Sequence, residues 1–348
     1  MDIEWVPRKS LNMARVNELI ELSLQKNHFT NGGPNIKLLE ERIRECLDID
    51  STKSVVCVSN GTVALWAAVA ALEIFHKKDL QFYTQSFTFP ASAQGCLDNV
   101  KIVDIDAGGG IDIEQIDLDN CDGVIVTNVF GNIVDIGKYE DWSKKHKKFL
   151  VFDNAATSYT SYKGKNSCNY GHATTVSFHH TKPIGFGEGG CIIIDSQYEK
   201  DLRNVLNFGI DNTSTSAKWH RKAGNYKMSD IQAVYINQYL DNFKYIKEYT
   251  QSLYSYFIEQ IRKENNKELY PNFSDDTPFV SCICFFSQKS NEIILSLLEN
   301  KIYCRKYYKP LTDTPIAVDF YNKIVCVSCT IDMNKNDIDR ILAVIKQI

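Results

Sequence analysis

The run Ser177-Phe178-His179-His180-Thr181-Lys182-Pro183-Ile184-Gly185-Phe186-Gly187-Glu188-Gly189-Gly190 decides the fold. A β-branched stretch, Thr174–Phe178, precedes it, and another, Gly190–Ile194, closes it. It therefore reads as a lysine on a Gly-rich connection between two strands. The part from Gly185 to Gly190 has the spacing G-x-G-x-x-G, but a dinucleotide-binding turn opens a helix, whereas this run opens a strand. Further out, the spacing predicts strands at Ser54–Val58, Leu80–Tyr83, Lys101–Ile105, Gly123–Asn128 and Phe149–Asp153, with helices at Thr62–His76, Ala91–Leu97 and Gly137–His146. The strands are short and continuously apolar, which suits a sheet covered on both faces. Such alternation predicts an α/β domain with a mostly parallel sheet. From Ser229 to Lys263 there is neither Gly nor Pro, so one long helix is expected. Beyond it lie two short strands, Phe279–Phe286 and Ile324–Ser328, and two helical runs, Glu292–Leu298 and Asp337–Ile345. We therefore expect a large domain over 1–240 and a smaller α+β domain over 241–348.

The chain has 348 residues, enough for two domains at roughly 150 residues each. Hydrophobic residues are 44% and charged residues 24%, which excludes a wholly disordered or fibrous chain. The net charge of −4 gives no basic face for nucleic acid. No apolar stretch approaches the ~20 residues of a membrane helix, and MDIEWVPRKS carries no secretory core. Eleven cysteines without an export signal point to a reduced, cytoplasmic setting with buried thiols. Cys282 and Cys284 have strand spacing, Cys326 and Cys329 lie in an apolar run, and no zinc-finger spacing completes either pair, so no metal site is expected.

Open α/β sheets bind ligands at the carboxyl ends of their strands, and three such ends carry functional groups. Ser59-Asn60-Gly61-Thr62 follows a strand and opens a helix, where free N–H groups and a hydroxyl make an anion cup; an ordinary capped turn would look the same. Asp153 ends an apolar strand and either caps the next turn or holds a cation. Lys182 is either a surface lysine or the amine for a carbonyl cofactor. Their order is what pyridoxal 5'-phosphate requires: a helix cup for its phosphate, an acid for its ring nitrogen and a lysine for its aldehyde.

Several segments then resemble the DegT/DnrJ/EryC1/StrS sugar aminotransferases: SNGTVAL (59–65), FTFPAS (87–92), DNAA (153–156), SFHHTKPIGFGEGG (177–190) and GNYKMSDIQ (224–232). The resemblance spans nearly the whole chain. It implies the aspartate aminotransferase-like fold type I, with a mixed, mostly parallel seven-stranded sheet. Within the family, Phe29–Pro34 and Phe152–Thr157 are similar to the branch that forms dTDP-4-amino-4,6-dideoxyglucose. The resemblance assigns Lys182 as the imine-forming and proton-moving lysine, Asp153 as the ring-nitrogen partner, Gly61, Thr62 and Ser177 as phosphate contacts, and Phe89 as the residue stacked on the ring. It assigns Asn225 to the cofactor phosphate of a neighbouring subunit, which implies a homodimer with shared sites. Arg305-Lys306-Tyr307-Tyr308-Lys309-Pro310-Leu311 resembles the family's segment near the substrate entrance, with Tyr308 a sugar or nucleotide contact or simply surface.

Three positions depart from the family pattern. Ala156 stands where Gln or His usually touches the O3′ side of the cofactor, Asn128 where His is common, and His180 where a small residue is usual. Asn128 or His180 could replace the missing contact, and His180 could equally be packing or meet substrate. The expected reaction takes an amine from L-glutamate, releases 2-oxoglutarate, and aminates a nucleotide-linked keto sugar, dTDP-4-keto-6-deoxy-D-glucose at C4 being the first choice. A C3 aminotransferase shares every cofactor motif. A sugar dehydratase is disfavoured because its branch carries His where Lys182 stands, and a non-catalytic regulator because no DNA-binding segment is left over.

Overall fold

A computed structural model describes residues 2–210, 219–264 and 267–348. The apolar runs form one seven-stranded sheet from β1 (Lys53–Val58), β2 (Phe82–Gln85), β3 (Lys101–Val103), β4 (Gly123–Thr127), β5 (Phe149–Asp153), β8 (Ala173–Ser177) and β9 (Gly190–Asp195). The hairpin β6 (Ser161–Tyr162) and β7 (Lys165–Asn166) lies between β5 and β8 in the chain. The strand order is β1-β9-β8-β5-β4-β2-β3. All neighbours run parallel except at β9, which is antiparallel to both β1 and β8.

Helices α2 (Pro34–Cys46), α3 (Gly61–His76), α4 (Ile136–His146), α5 (Glu199–Leu206) and α6 (Asp230–Leu240) cover the sheet, and α1 (Met13–Lys26) packs outside them on α2 and α6. Alternate strand residues divide between its faces. Val56, Val58, Ile125, Val151, Ile192 and Ile194 pack with α3 and α5. On the other side, Val55, Cys57 and Ile193 pack with α2 and α6, while Val124, Val126 and Leu150 pack with α4. This double coverage is why the strands read as unbroken apolar runs rather than alternating ones.

The second sheet is antiparallel, β10 (Glu268–Leu269), β11 (Cys282–Phe286) and β12 (Ile324–Ser328). It carries α7 (Phe243–Ile261), α8 (Ser290–Glu299) and α10 (Lys335–Ile345) on one face; α9 (Pro315–Lys323) leads into β12. Ile283, Phe285, Val325 and Val327 enter that helical core, whereas Cys282, Cys284, Phe286 and Cys326 face an aromatic cluster with Phe87, Phe130 and Tyr270. Cys326 and Cys329 thus sit in different cores, and none of the eleven cysteines is paired. Among the described residues no cluster of His, Cys, Asp or Glu is arranged to hold a metal, and no helix is long and apolar enough to cross a membrane.

Several expectations need correction. The helix expected at 91–97 is two 3-10 turns, Pro90–Ala93 and Gly95–Leu97. Gly95 has φ +60 and packs its backbone on Trp66, so an α-helix cannot run through it. The single helix expected over 229–263 breaks between Leu240 and Phe243. Asn242, at φ −101 and ψ 12, leaves the helical path there, and Asp241 beside it pairs with Arg42 at 2.9 Å and Arg15 at 3.3 Å. β2 is shifted toward Gln85, whose buried side chain accepts from the Thr127 N–H and donates to the Phe87, Gly109 and Thr127 carbonyls. A polar residue so fully bonded can sit inside a sheet. β3 stops at Val103, and the expected strand from Phe279 starts only at Cys282, since Phe279 and Val280 are packed in the two cores instead.

Candidate active site

The carboxyl ends of the parallel strands open into a cavity of about 930 Å³. Gly61, Thr62, Phe89, Asp153, Ser177, Lys182 and Tyr308 all line it. Its floor is built by the first turn of α3. Asn60 caps that helix by accepting from the Val63 N–H at 3.0 Å, and its carbonyl takes the Ala64 N–H at 3.1 Å. The N–H groups of Gly61 and Thr62 are left as donors without a helical acceptor. A Cβ on Gly61 would lie 2.8 Å from Cβ of Ser177, so only glycine lets the helix start this close to the end of β8. Gly190 matters similarly, because a Cβ there would lie 2.7 Å from the Asn60 backbone. The Gly-rich run is therefore a close-packing device at the start of β9, not a nucleotide turn.

Asp153 ends β5 with only 5% exposure. Its carboxylate accepts from the Ala155 N–H at 3.0 Å. Burial raises its pKa, opposed by that N–H and by the charge of Lys182. Lys182 lies on the turn after β8, and burial lowers its pKa against the opposing pull of Cys282 and Asp153. A buried carboxyl and a buried amine, each with its charged form disfavoured by burial, make the charge pattern of a reactive site. Phe89 is 52% exposed although apolar, with one side edge-on to Tyr308 at 6.1 Å. These features fit pyridoxal phosphate: two unpaired helix donors, a cradle that a Cβ would fill, a buried acid short of partners, an amine and a free aromatic face.

Two expected residues are not in the cavity. His180 turns away from it, donating from Nε2 to the Pro7 carbonyl at 3.2 Å and packing on Phe186 at 5.3 Å. The geometry gives His180 a packing and bracing role, one of the two readings that its place in the sequence left open. Asn225 is exposed and lies outside this chain's own cavity, bridged through the backbone to Asn207. Asn128 does line the cavity, but its Nδ2 donates to Asn154 at 2.7 Å and its Oδ1 accepts from Val134 N at 2.9 Å. Oδ1 and one Nδ2 hydrogen are engaged within the protein, which leaves one Asn128 N–H for a contact near Ala156.

Other lining residues were not singled out from sequence. Phe130, with φ +62, stacks flat on Tyr308 at 5.3 Å. Its place just past β4 was a usable signal. Trp5 reaches the cavity from the N-terminal segment, edge-on to Tyr307 at 5.7 Å and under the Arg305 guanidinium at 5.4 Å. Nothing in its local sequence announces this.

The fold and the lysine–carboxylate cavity define a pyridoxal-phosphate-dependent transferase of fold type I. The chain belongs to the DegT/DnrJ/EryC1/StrS aminotransferase family, whose model matches residues 11–346. It is 23% identical to a dTDP-4-amino-4,6-dideoxy-D-glucose transaminase of Shigella dysenteriae over 94% of each chain. It is 26% identical to a UDP-2-acetamido-2-deoxy-3-oxo-D-glucuronate aminotransferase of Pseudomonas aeruginosa, over 70% of this chain and 68% of that one. A solved aminotransferase of Helicobacter pylori involved in pseudoaminic acid biosynthesis shares the fold with a TM-score of 0.87 at 17% identity, covering 100% and 99% of the two chains.

Proposed function

We propose that the protein transfers the amino group of L-glutamate to C4 of dTDP-4-keto-6-deoxy-D-glucose, giving dTDP-4-amino-4,6-dideoxy-D-glucose and 2-oxoglutarate. The observation that carries this reading is one cavity of about 930 Å³ with the cofactor-type groups at its floor and an aromatic outer wall of Trp5, Phe89, Tyr307 and Tyr308. That volume is at the upper end for small-molecule sites, which run to about 1,000 Å³, and suits a cofactor together with a nucleotide sugar. The choice of C4 is supported by the dTDP-4-amino sugar relative and by the Phe29–Pro34 and Phe152–Thr157 segments. The 3-oxo sugar relative supports C3 as the second reading, with the same cofactor groups.

In this reading Gly61, Thr62 and Ser177 hold the phosphate, Phe89 covers one ring face, and Asp153 keeps the ring nitrogen protonated. When bound, pyridoxal phosphate supplies an aldehyde that carries the amine and a ring that takes up an electron pair. Lys182 would hold that aldehyde, and its Nζ would take the proton from the α-carbon of glutamate. In the second half it delivers a proton to the sugar carbon. Burial lowers the Lys182 pKa, which favours the neutral amine that a base requires. Tyr308, its hydroxyl pushed well up by burial, stays protonated and can donate to the sugar. Asn225 completes the neighbouring subunit's phosphate site in a homodimer. The working unit is a cytoplasmic enzyme with its main division near residue 240, although Ile3 packs in the C-terminal core.

Glutamate alone tests this. The loaded protein is expected to release one 2-oxoglutarate per site without any sugar, and Lys182→Ala to release none. Transamination by the Lys182→Ala variant would overturn the assignment.

A further inference from the structure

The N-terminal segment grips the turn that carries Lys182. Lys9 Nζ donates to the carbonyl oxygens of Lys182 at 2.6 Å and of Gly185 at 2.5 Å, and lies 4.8 Å from the centre of the Tyr239 ring. The two carbonyls belong to one turn, closed by the Gly185 N–H donating back to Lys182 O at 3.0 Å. Beside it, Pro7 takes the His180 ring N–H. No carboxylate lies within ion-pair distance of Lys9 among the described residues; Asp332 acts on it from further away. An amine drawn into the interior without a counter-ion is costly unless its donors are used, and here they are spent on the Lys182 turn.

The segment is itself anchored. Ile3 pairs with Ile302 and packs in the C-terminal core, the Glu4 carbonyl accepts from Ser328 Oγ at 3.0 Å, and the Arg8 N–H donates to Asp332 at 2.9 Å. Lys9 is thus a fixed post against a turn otherwise held by its own backbone bonds and by Ile184 in the core.

We propose that Lys9 is a positioning residue: by holding the Lys182 and Gly185 carbonyls it fixes the 182–185 turn and so the direction from which Lys182 enters the cavity. Burial brings the Lys9 amine down to about 7, but a neutral amine still has two N–H groups for two carbonyls, so the brace holds in both charge states. Its catalytic consequence rests on the role given to Lys182 above; the brace itself does not.

Amide hydrogen exchange on the full-length apoprotein reads the brace directly. Lys9→Met keeps the stem and removes the donors. It is expected to speed exchange across 179–187 by about tenfold or more, the worth of a hydrogen bond from a charged donor, with β4 and β5 unchanged. It is also expected to slow attachment of pyridoxal phosphate, followed by visible absorbance, and to lower kcat with the sugar KM unaltered. Lys9→Gln, which keeps an amide donor and serves if Lys9→Met does not fold, is expected to retain part of the protection. Exchange at 179–187 that is unchanged in the folded variants, or raised equally everywhere, overturns the proposal. Raised local exchange in a protein inert to glutamate would keep the brace and remove the function; an active protein with unaltered exchange would do the reverse.

Discussion

Asp153 and Lys182 each hold a charge that burial disfavours. A carboxyl whose pKa is raised on folding binds its proton more tightly in the folded state, so the stability it contributes is present at low pH and lost as pH rises through the folded pKa. Above its folded pKa Asp153 therefore costs stability, a cost that its proposed role beside a cationic ring nitrogen would explain. Asp153→Asn is expected to abolish transamination while raising the apoprotein's melting temperature by about 2 °C; a calorimetric scan showing a fall would contradict it. Lys9 behaves in the opposite sense with pH. Its pKa drops from 10.5 to about 7 on folding, so its penalty is full below pH 7 and is relieved as pH rises toward 10.5. Urea titrations of the wild type minus Lys9→Met are expected to show relative stability climbing across that window. Asp153 stood out in sequence because it closes an apolar strand, and Lys182 because it stands in a Gly-rich connection between two strands. Lys9 and Trp5 did not, because their partners lie more than 170 positions away in the case of Lys9 and local sequence carries no record of that contact.

The elements that matter most are α3 and the strand ends around it. Gly61 opens α3 so close to Ser177 that an added methyl meets Cβ at 2.8 Å. Gly61→Ala is expected to destabilise the fold by about 1–3 kcal/mol, as overpacking does, and to weaken pyridoxal-phosphate binding disproportionately. Equal affinity in a fluorescence titration would remove the phosphate cup from that turn. The sheet's strands and α3 were readable because both faces of the sheet are covered, leaving unbroken apolar runs. The 3-10 turns after Phe89 and the break at Asn242 were missed because a glycine backbone against Trp66 shapes the first and Asp241, beside the second, is tied to Arg42 and Arg15. Both are tertiary effects that override local helix preference.

At the scale of the molecule, the cavity floor comes from the large sheet and its outer wall from the N-terminal segment and the residues before α9. His180 stood open between packing and a site role because its neighbours in the chain line the cavity; only the path of the N-terminal segment shows that it faces Pro7. Asn225 stands exposed, away from this chain's own cavity. In the proposed dimer, Asn225→Ala is expected to lose cofactor on gel filtration about tenfold faster, the worth of one charge-assisted hydrogen bond, without unfolding. A fully active monomer would contradict shared sites. The most direct measurement is NMR of the product formed from dTDP-4-keto-6-deoxy-D-glucose, L-glutamate and the pyridoxal-phosphate-loaded protein. The account predicts a sugar with a new amine at C4 and an equatorial coupling pattern. An unaminated sugar, or an amine at C3 from the 3-keto isomer alone, would contradict it.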